Sequence, residues 1–435
     1  MRVGRRGNLF HQEGPRSNPW RLLLWAVLIV AGLSTLRSIQ TGEIQPLFQP
    51  TPTPTRSAVS YREEGAAFFE AGNLDQAISA YQDALAVAPE DYQGWMELAR
   101  IQTYSAALLT QERKRARLDD ALASIDRALE LAPEESDVRA IRTLVLDWRA
   151  GAAPSSEERQ ALILEASREA ILAIQLDGRN PLALAYQAEV FADQQQYVQA
   201  FQYAQQALSV NPSSFDARRV YAYVLEANAD YAGAIEEYKA AAEIAPNLTF
   251  LYISIGQNYR RLSLHDQALV YFDRAAQINQ GLGIEDPLPY VAIAKTYTRM
   301  GEFFAAALNA ERAIDFDPTN PDLYGQLGHI RHQARNFEGA VEVLKCAVEG
   351  CDEEENPDWG VAVEGLPLTD SSVVYYYIYT SAAAGLDFCD VAIPIMDQVS
   401  AQYADDALVM SIINENYAVC AILEAEESAD SQENP

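Results

Sequence analysis

The sequence predicts an all-α solenoid of stacked helix pairs, with one apolar segment near the start of the chain. The first observation is a 34-residue step, because Ala200, Ala234 and Ala268 hold equivalent positions in successive segments. The second is that Pro212 and Pro246 recur at the same step, where a proline would end the second helix of each pair. A fixed period of this size is typical of architectures whose units stack on their neighbours.

Residues 215–248 show the pattern within one unit. The first helix is predicted to begin at Phe215, and a second helix follows after a short turn. Small residues at Ala222, Ala234 and Ala241 would lie where the two helices touch, since a bulky side chain there would push the axes beyond the usual separation of about 8–10 Å. One helix pair cannot bury its own apolar face, so the copies must stack.

The repeating alanines, the closing prolines and the 34-residue step resemble the tetratricopeptide repeat (TPR), over residues 58–350. The resemblance implies a right-handed superhelix of about 8–9 helix-turn-helix repeats. The step is 44 residues from Ala77 to Ala121 and 45 residues from Ala121 to Ala166. We therefore expect longer helices or an added loop in the second and third repeats. Residues 371–425 are interpreted as a degenerate last repeat and a capping helix.

Residues 20–39 are predicted to be a transmembrane signal anchor. They carry no charge from Leu22 to Leu36 and approach the roughly 20 residues that cross a bilayer. Residues 1–19 are basic, so the positive-inside tendency would place them in the cytoplasm and the repeats outside it. A cleaved signal peptide is the alternative, although no small-x-small site follows the apolar segment. Residues 40–57 are rich in Pro and Thr and are expected to form an extended spacer.

All four cysteines lie near the end of the chain: Cys346, Cys351, Cys389 and Cys420. An even number in a domain placed outside the cytoplasm suggests two disulfides, and three pairings are possible. The preferred pairs are Cys346–Cys351 and Cys389–Cys420. A zinc site is the alternative, but the spacing lacks the second close pair that structural zinc sites usually have. The remaining segments are an acidic loop at residues 351–370 and a disordered tail at residues 426–435.

The charge balance limits the classes of partner. The formal net charge is −30, and without residues 1–37 it is −35, from 26 Lys and Arg against 61 Asp and Glu. Such a body would repel a phosphate backbone, so nucleic acid is not expected as a partner. No P-loop, Rossmann glycine run or zinc-protease motif is present, so we predict neither catalysis nor a cofactor. His329 and His332 could share a helix face, but we expect a groove or solvent position instead of a metal site.

The resemblance also implies where a partner would bind, because the first helix of each TPR unit lines the concave groove. The set expected there is basic and aromatic in an otherwise acidic chain, which favours an extended acidic segment or a chain-end carboxylate. Pairing of these bases with acids of neighbouring repeats remains the alternative. The expected groove residues are Arg219, Tyr223, Gln257, Arg260, Arg261, Lys295, Arg299, His329 and His332.

Two functions follow as hypotheses. The first is a non-enzymatic, membrane-anchored scaffold that binds a protein or peptide partner in its groove. The second is an accessory or assembly subunit of an envelope machine, of the kind used in secretion, pilus formation or polysaccharide synthesis. The two differ in the number and constancy of the proteins that surround the chain.

Overall fold

A computed structural model describes residues 18–40 and 56–433 of the chain. The contacts divide the chain after Arg56 into two units, and helix α1 (Pro19–Gln40) belongs to the first. The segment Pro19–Ser38 is long and apolar enough to cross a membrane, although a signal sequence can have the same length and composition. The predicted basic segment 1–19 and spacer 40–57 lie outside the described residues except at their edges.

The second unit is built from consecutive helix pairs, followed by one long helix. Within the described residues no strand is present, and a single isolated β-bridge joins two loop residues. The helices are α2 (Ala58–Glu70), α3 (Leu74–Val87), α4 (Tyr92–Ser105), α5 (Gln111–Leu131), α6 (Ser136–Gly151), α7 (Ser156–Leu176), α8 (Pro181–Asp193), α9 (Tyr197–Val210), α10 (Phe215–Ala227), α11 (Tyr231–Ile244), α12 (Thr249–Arg261), α13 (His265–Leu282), α14 (Leu288–Met300), α15 (Phe303–Phe316), α16 (Pro321–Gln333), α17 (Phe337–Val348), α18 (Val373–Gly385), α19 (Cys389–Gln402) and α20 (Ala407–Glu433).

The pair α10–α11 shows how the sequence specifies each unit. The side chain of Ser214 accepts a hydrogen bond from the backbone N–H of Ala217 and so caps the start of α10. Ala222, Ala234 and Ala241 are fully buried between packed helices. The predicted start of this unit and its small contact positions therefore match the structure, because local capping and close packing decide both.

Two glycines show how closely the helices of a pair approach each other. A Cβ atom at Gly256 would overlap the ring of Phe272, and one at Gly328 would overlap the side chain of Leu344. Any larger residue would force the two axes apart. The requirement for small side chains on the first helix therefore extends through the later repeats.

The extra length in the second and third repeats forms longer second helices, since α5 and α7 each contain 21 residues. A short 3₁₀ turn, Ala106–Leu108, precedes α5. The segment after this turn crosses to a distant repeat: Thr110 donates to a carboxylate oxygen of Asp317 at 3.0 Å, and Arg113 pairs with the same carboxylate at 3.3 Å. The insert therefore joins the second repeat to the seventh.

The early repeats also meet the fifth and sixth repeats directly. The ring of Tyr104 on α4 lies 5.5 Å from that of Phe215 on α10 and 5.6 Å from that of Phe250 on α12. Nearby, the side-chain amide of Asn247 donates to the carbonyl of Glu70 at 3.2 Å. The helical spiral thus closes on itself, and aromatic side chains fill part of the space that an open groove would leave.

The C-terminal repeats contain both disulfides of the structure, in the pairing preferred from the sequence. Cys346 and Cys351 are bonded at an S–S distance of 2.06 Å, and Cys389 and Cys420 at 2.05 Å. The acidic loop between α17 and α18 is held by side-chain contacts, including a hydrogen bond at 3.1 Å from Trp359 Nε1 to Asp315. Helix α20 continues to Glu433, beyond the end expected near residue 425, so most of the predicted tail is helical.

Candidate binding cleft

A cleft of about 470 Å³ lies along the inner helices of the third to seventh repeats. Its wall is formed mainly by α6, α8, α10, α12 and α14, the first helix of each pair, as the resemblance implied. We call it the central cleft. Most of its charged lining residues fall into an acidic group on α6 and α8 and a basic group on α12 and α14, while Arg219 on α10 and Lys114 on α5 belong to neither group. The residues that give the cleft its charge are Asp147, Glu189, Asp193, Arg219, Arg260, Lys295 and Lys114.

A ladder of polar contacts joins α8 to α10 along one side of the cleft. Each contact links residues that are 30 positions apart, and the partners on each helix share one face because they recur every three to four residues. The three rungs are Tyr186 to Asp216 at 2.9 Å, Arg219 to Glu189 at 2.7 and 2.5 Å, and Tyr223 to Asp193.

Asp216 connects this ladder to the closure of the spiral. Its carboxylate accepts hydrogen bonds from Tyr104 and Tyr186 and forms an ion pair at 2.8 Å with Arg100 on α4. Burial alone would raise the pKa of Asp216, but Arg100, the Tyr104 hydroxyl and Arg219 lower it below its usual value. Asp216 is therefore held as a buried anion by groups from three different repeats.

Arg219 lines the cleft but is already bound within the protein. It is 4% exposed, it donates two hydrogen bonds to Glu189, and its guanidinium lies over the rings of Tyr104 and Trp148 at 5.7 and 5.5 Å. A bidentate pair of this kind satisfies most of the guanidinium, so Arg219 holds the wall together. For Arg219 the structure therefore supports the alternative interpretation of the sequence, in which a base pairs with an acid of a neighbouring repeat.

The acidic end of the cleft contains Asp147 and Asp193 beside Glu189. Asp147 is 3% exposed, and its Oδ1 has no hydrogen-bond partner among the described residues. Burial, together with the charges of Asp193 and Glu189, raises the pKa of Asp147 well above its usual range. Burial also raises the pKa of Asp193, although the hydrogen bond from Tyr223 opposes this. Arg219 and Arg159 act in the opposite direction on Asp147, but within the described residues neither Asp147 nor Asp193 forms an ion pair.

The basic end has the opposite imbalance. Arg260 donates to the carbonyl of Ala292 at 3.1 Å, and burial with the nearby charges of Arg299 and Arg261 lowers its pKa to about 10. Lys295, which is exposed, lines the same end. Within the described residues, no carboxylate forms an ion pair with any of these four bases.

A second cavity of about 250 Å³ extends the basic end. Arg260 and Gln257 line both cavities, and Arg261 and Arg299 line the second. Arg261 is exposed and lies over the ring of Tyr231 at 5.6 Å. We call the set Gln257, Arg260, Arg261, Lys295 and Arg299 the basic patch.

The two histidines expected in the groove lie away from both cavities. His329 Nε2 is 2.9 Å from the side-chain amide of Gln333, and the ring of His332 packs 5.3 Å from that of Phe337. Burial lowers the pKa of each histidine. Within the described residues no cluster of His, Cys, Asp or Glu has the arrangement of a metal site.

The sequence indicated that the bases of the basic patch lie close together, but it gave no sign of the acids at the other end of the cleft. Gln257, Arg260, Arg261, Lys295 and Arg299 line one end of the cleft and the cavity that extends it, because they lie on the facing sides of two neighbouring first helices, where Gln257 aligns with Lys295 and Arg261 with Arg299. The sequence pattern assigns no role to four acids that the structure places in or beside the cleft: Asp147, Glu189, Asp193 and Asp216. The signal that could have found three of them is the 30-residue offset between acids on α8 or α10 and their Arg or Tyr partners.

Fold and cleft together define an α-solenoid repeat protein with a charged inner surface. A family model described as tetratricopeptide repeat matches residues 62–103 and 186–248. These two segments are therefore similar to tetratricopeptide repeats, and the predicted fold class, an all-α solenoid of stacked helix pairs, is confirmed. No curated protein is detectably similar in sequence.

The chain is also similar, at low sequence identity, to several solved structures. TTC0263, a thermophilic TPR protein from Thermus thermophilus, is 18% identical, with 46% of this chain and 98% of that chain covered and a TM-score of 0.39. Yeast Tom70 is 12% identical over 88% of this chain and 93% of its own, with a TM-score of 0.49. Cut9–Hcn1, an APC/C hetero-tetramer, is 14% identical, with 90% of this chain and 75% of that chain covered and a TM-score of 0.43.

Proposed function

We propose that this protein is a non-enzymatic, membrane-anchored scaffold that binds an acidic segment of a partner protein at its basic patch. Stacked repeats build extended concave surfaces that bind partners, and two segments of this chain match the tetratricopeptide repeat. Helix α1 is the proposed anchor, with the repeats on the extracytoplasmic side. The apolar composition of α1 and the arginines that precede it support this orientation.

The observation that carries the proposal is the uncompensated basic patch in a chain of net charge −30. An exposed base on an acidic protein can find a nearby acid, as Arg113 does with Asp317 at 3.3 Å. The lowered pKa of Arg260 indicates mutual repulsion among the bases of the patch, added to the effect of burial. A bound carboxylate would relieve that repulsion and form charge-assisted hydrogen bonds.

The test compares two charge reversals of equal size in the full chain held in detergent micelles. In R261E/R299E, both changed residues are exposed and belong to the basic patch. In the matched control R274E/R312E, both are exposed on the second helices α13 and α15. We expect R261E/R299E to weaken binding of a fluorescein-labelled Glu-rich peptide at least about tenfold, because each charge-assisted bond contributes roughly 1.5–3 kcal/mol. Fluorescence anisotropy measures the change.

The control should stay within about twofold of the unmodified protein, because charges on the second helices are screened over about one Debye length. Equal losses in both variants, or no loss in either, would contradict the proposal. Crosslinking of the full chain in intact cells then separates the scaffold from an accessory subunit. Several captured proteins would favour the scaffold, and one constant complex would favour a place in an envelope machine.

A further inference from the structure

The acidic end of the central cleft contains a buried carboxyl group that the fold itself leaves partly unpaired. Asp147 is 3% exposed, lines the cleft, and leaves its Oδ1 without a hydrogen-bond partner among the described residues. An unpaired buried acceptor destabilises the folded state, and it does so more strongly if it is charged. Such a cost persists where the group has a task that stability alone does not explain.

The neighbours of Asp147 increase this cost. Asp193 and Glu189 face the same space, but Glu189 is occupied by Arg219 and by the indole N–H of Trp148 at 3.0 Å. Among the described residues, the only hydrogen-bond donor to the Asp193 carboxylate is the hydroxyl of Tyr223. Two carboxylates that share a site repel each other when both are ionised, so one of them retains its proton more tightly.

The positive side chains nearby do not pair with Asp147 or Asp193. Arg219 is bound to Glu189, and Arg159, which also acts on Asp147 and Asp193, is exposed on α7. Lys114 lines the central cleft as well. Within the described residues, however, no hydrogen bond or ion pair joins it to either aspartate, and burial lowers its pKa. The acid pair therefore faces a cavity with room for a cation supplied from outside.

We propose that Asp147 and Asp193 form an ammonium subsite, which accepts a lysine or arginine side chain of the same partner segment whose acidic residues lie on the basic patch. This inference deepens the proposed function and rests on it. The central cleft has a negative end and a positive end, and it recognises a segment that carries charges of both signs in the reverse order. A cavity of about 470 Å³ falls in the size range of ligand pockets and admits such a side chain.

Trp148 provides a reporter that needs no partner protein. Its indole N–H lies in the cleft and is bound to Glu189, and the chain has only five tryptophans, so its indole signal can be assigned with W148F. The full chain, labelled with ¹⁵N-tryptophan in detergent micelles, is titrated with n-butylammonium and, separately, with n-butanol. We expect a saturable shift of the Trp148 signal with the ammonium compound and none with the alcohol.

The variant D147N/D193N removes both carboxylates with little change of shape, because Asn has nearly the shape of a protonated Asp. It should weaken n-butylammonium binding at least tenfold while the other indole signals stay in place. The matched control D83N/E243Q, on exposed positions of α3 and α11, should leave the affinity within twofold. Equal shifts with ammonium and alcohol, or unchanged binding in D147N/D193N, would overturn the proposal.

A peptide arm identifies the source of the cation. A Glu-rich peptide with one lysine should bind more tightly than the same peptide with norleucine in place of the lysine. D147N/D193N should abolish this difference in affinity and leave the affinity for the norleucine peptide unchanged. R261E/R299E should instead weaken both peptides equally, so the failure of one proposal is distinguishable from the failure of the other. Tighter binding of putrescine than of the lysine peptide would assign the subsite to a free amine and contradict the inference.

Discussion

The early repeats and the last repeats are held together in different ways. In the early repeats, Tyr104 and Arg100 on α4 reach Asp216 on α10, which is more than 110 positions away in the chain. In the last repeats, the strongest links are the disulfides, which span 5 and 31 positions. A solenoid repeat normally contacts only its neighbours. Where the spiral closes, distant repeats stabilise each other, and where it does not, covalent bonds supply the constraint.

The largest effect is expected from breaking the closure at Asp216. In D216N, Arg100 and the two tyrosine hydroxyls lose the buried anion that they share, and removing one partner of a buried pair costs about 3–5 kcal/mol. Urea unfolding should show this loss, whereas E236Q, which affects an exposed pair with Lys239, should cost less than about 1 kcal/mol.

The same residue predicts a pH dependence with a definite sign. The pKa of Asp216 is lowered in the folded state. The ionised Asp216 therefore contributes its full stabilisation at pH values above the pKa that this side chain has in the unfolded chain. It is lost as the pH falls through the folded-state pKa. D216N should therefore flatten the acid side of the stability profile, and an unchanged acid limb would show that Asp216 is not held as an anion.

A smaller effect is expected from opening the disulfides. C389S/C420S should destabilise the C-terminal repeats by about 3–4 kcal/mol, and C346S/C351S by about 2 kcal/mol, because the closed loop is longer in the first pair. Hydrogen exchange should locate the loss in α17–α20 and leave α4 and α10 protected. Equal loosening of the early repeats would show that the two regions are not independent.

The smallest effect is expected at Tyr379, whose hydroxyl donates to Glu349 at 2.6 Å and joins α18 to the end of α17. Y379F should cost about 1 kcal/mol, because water replaces part of the lost hydrogen bond at the exposed carboxylate. The control Y203F removes a hydroxyl that has no hydrogen-bond partner within the described residues and should stay within about 0.5 kcal/mol. Thermal unfolding of both variants gives the comparison.

The sequence was sufficient for the helix pairs, and it indicated that bases on α12 and α14 lie close together. The alanine positions, the closing prolines and the start of α10 follow from packing and capping within about 34 residues, which a local pattern contains. Arg261 on α12 and Arg299 on α14 could be aligned because they hold equivalent positions in neighbouring repeats. The predicted disulfide pairing also agrees with the structure, since both pairs join neighbouring elements.

The closure of the spiral and the acidic end of the cleft were decided by the tertiary structure. The contact of Tyr104 with Phe250 depends on how small rotations between successive repeats add up, and no single repeat contains that sum. The same sum buries Asp147 and Asp193 in one cavity. A repeat sequence therefore specifies its own fold through short-range packing. Which distant repeats meet, and which charges are buried when they do, follows from the accumulated geometry of the whole stack.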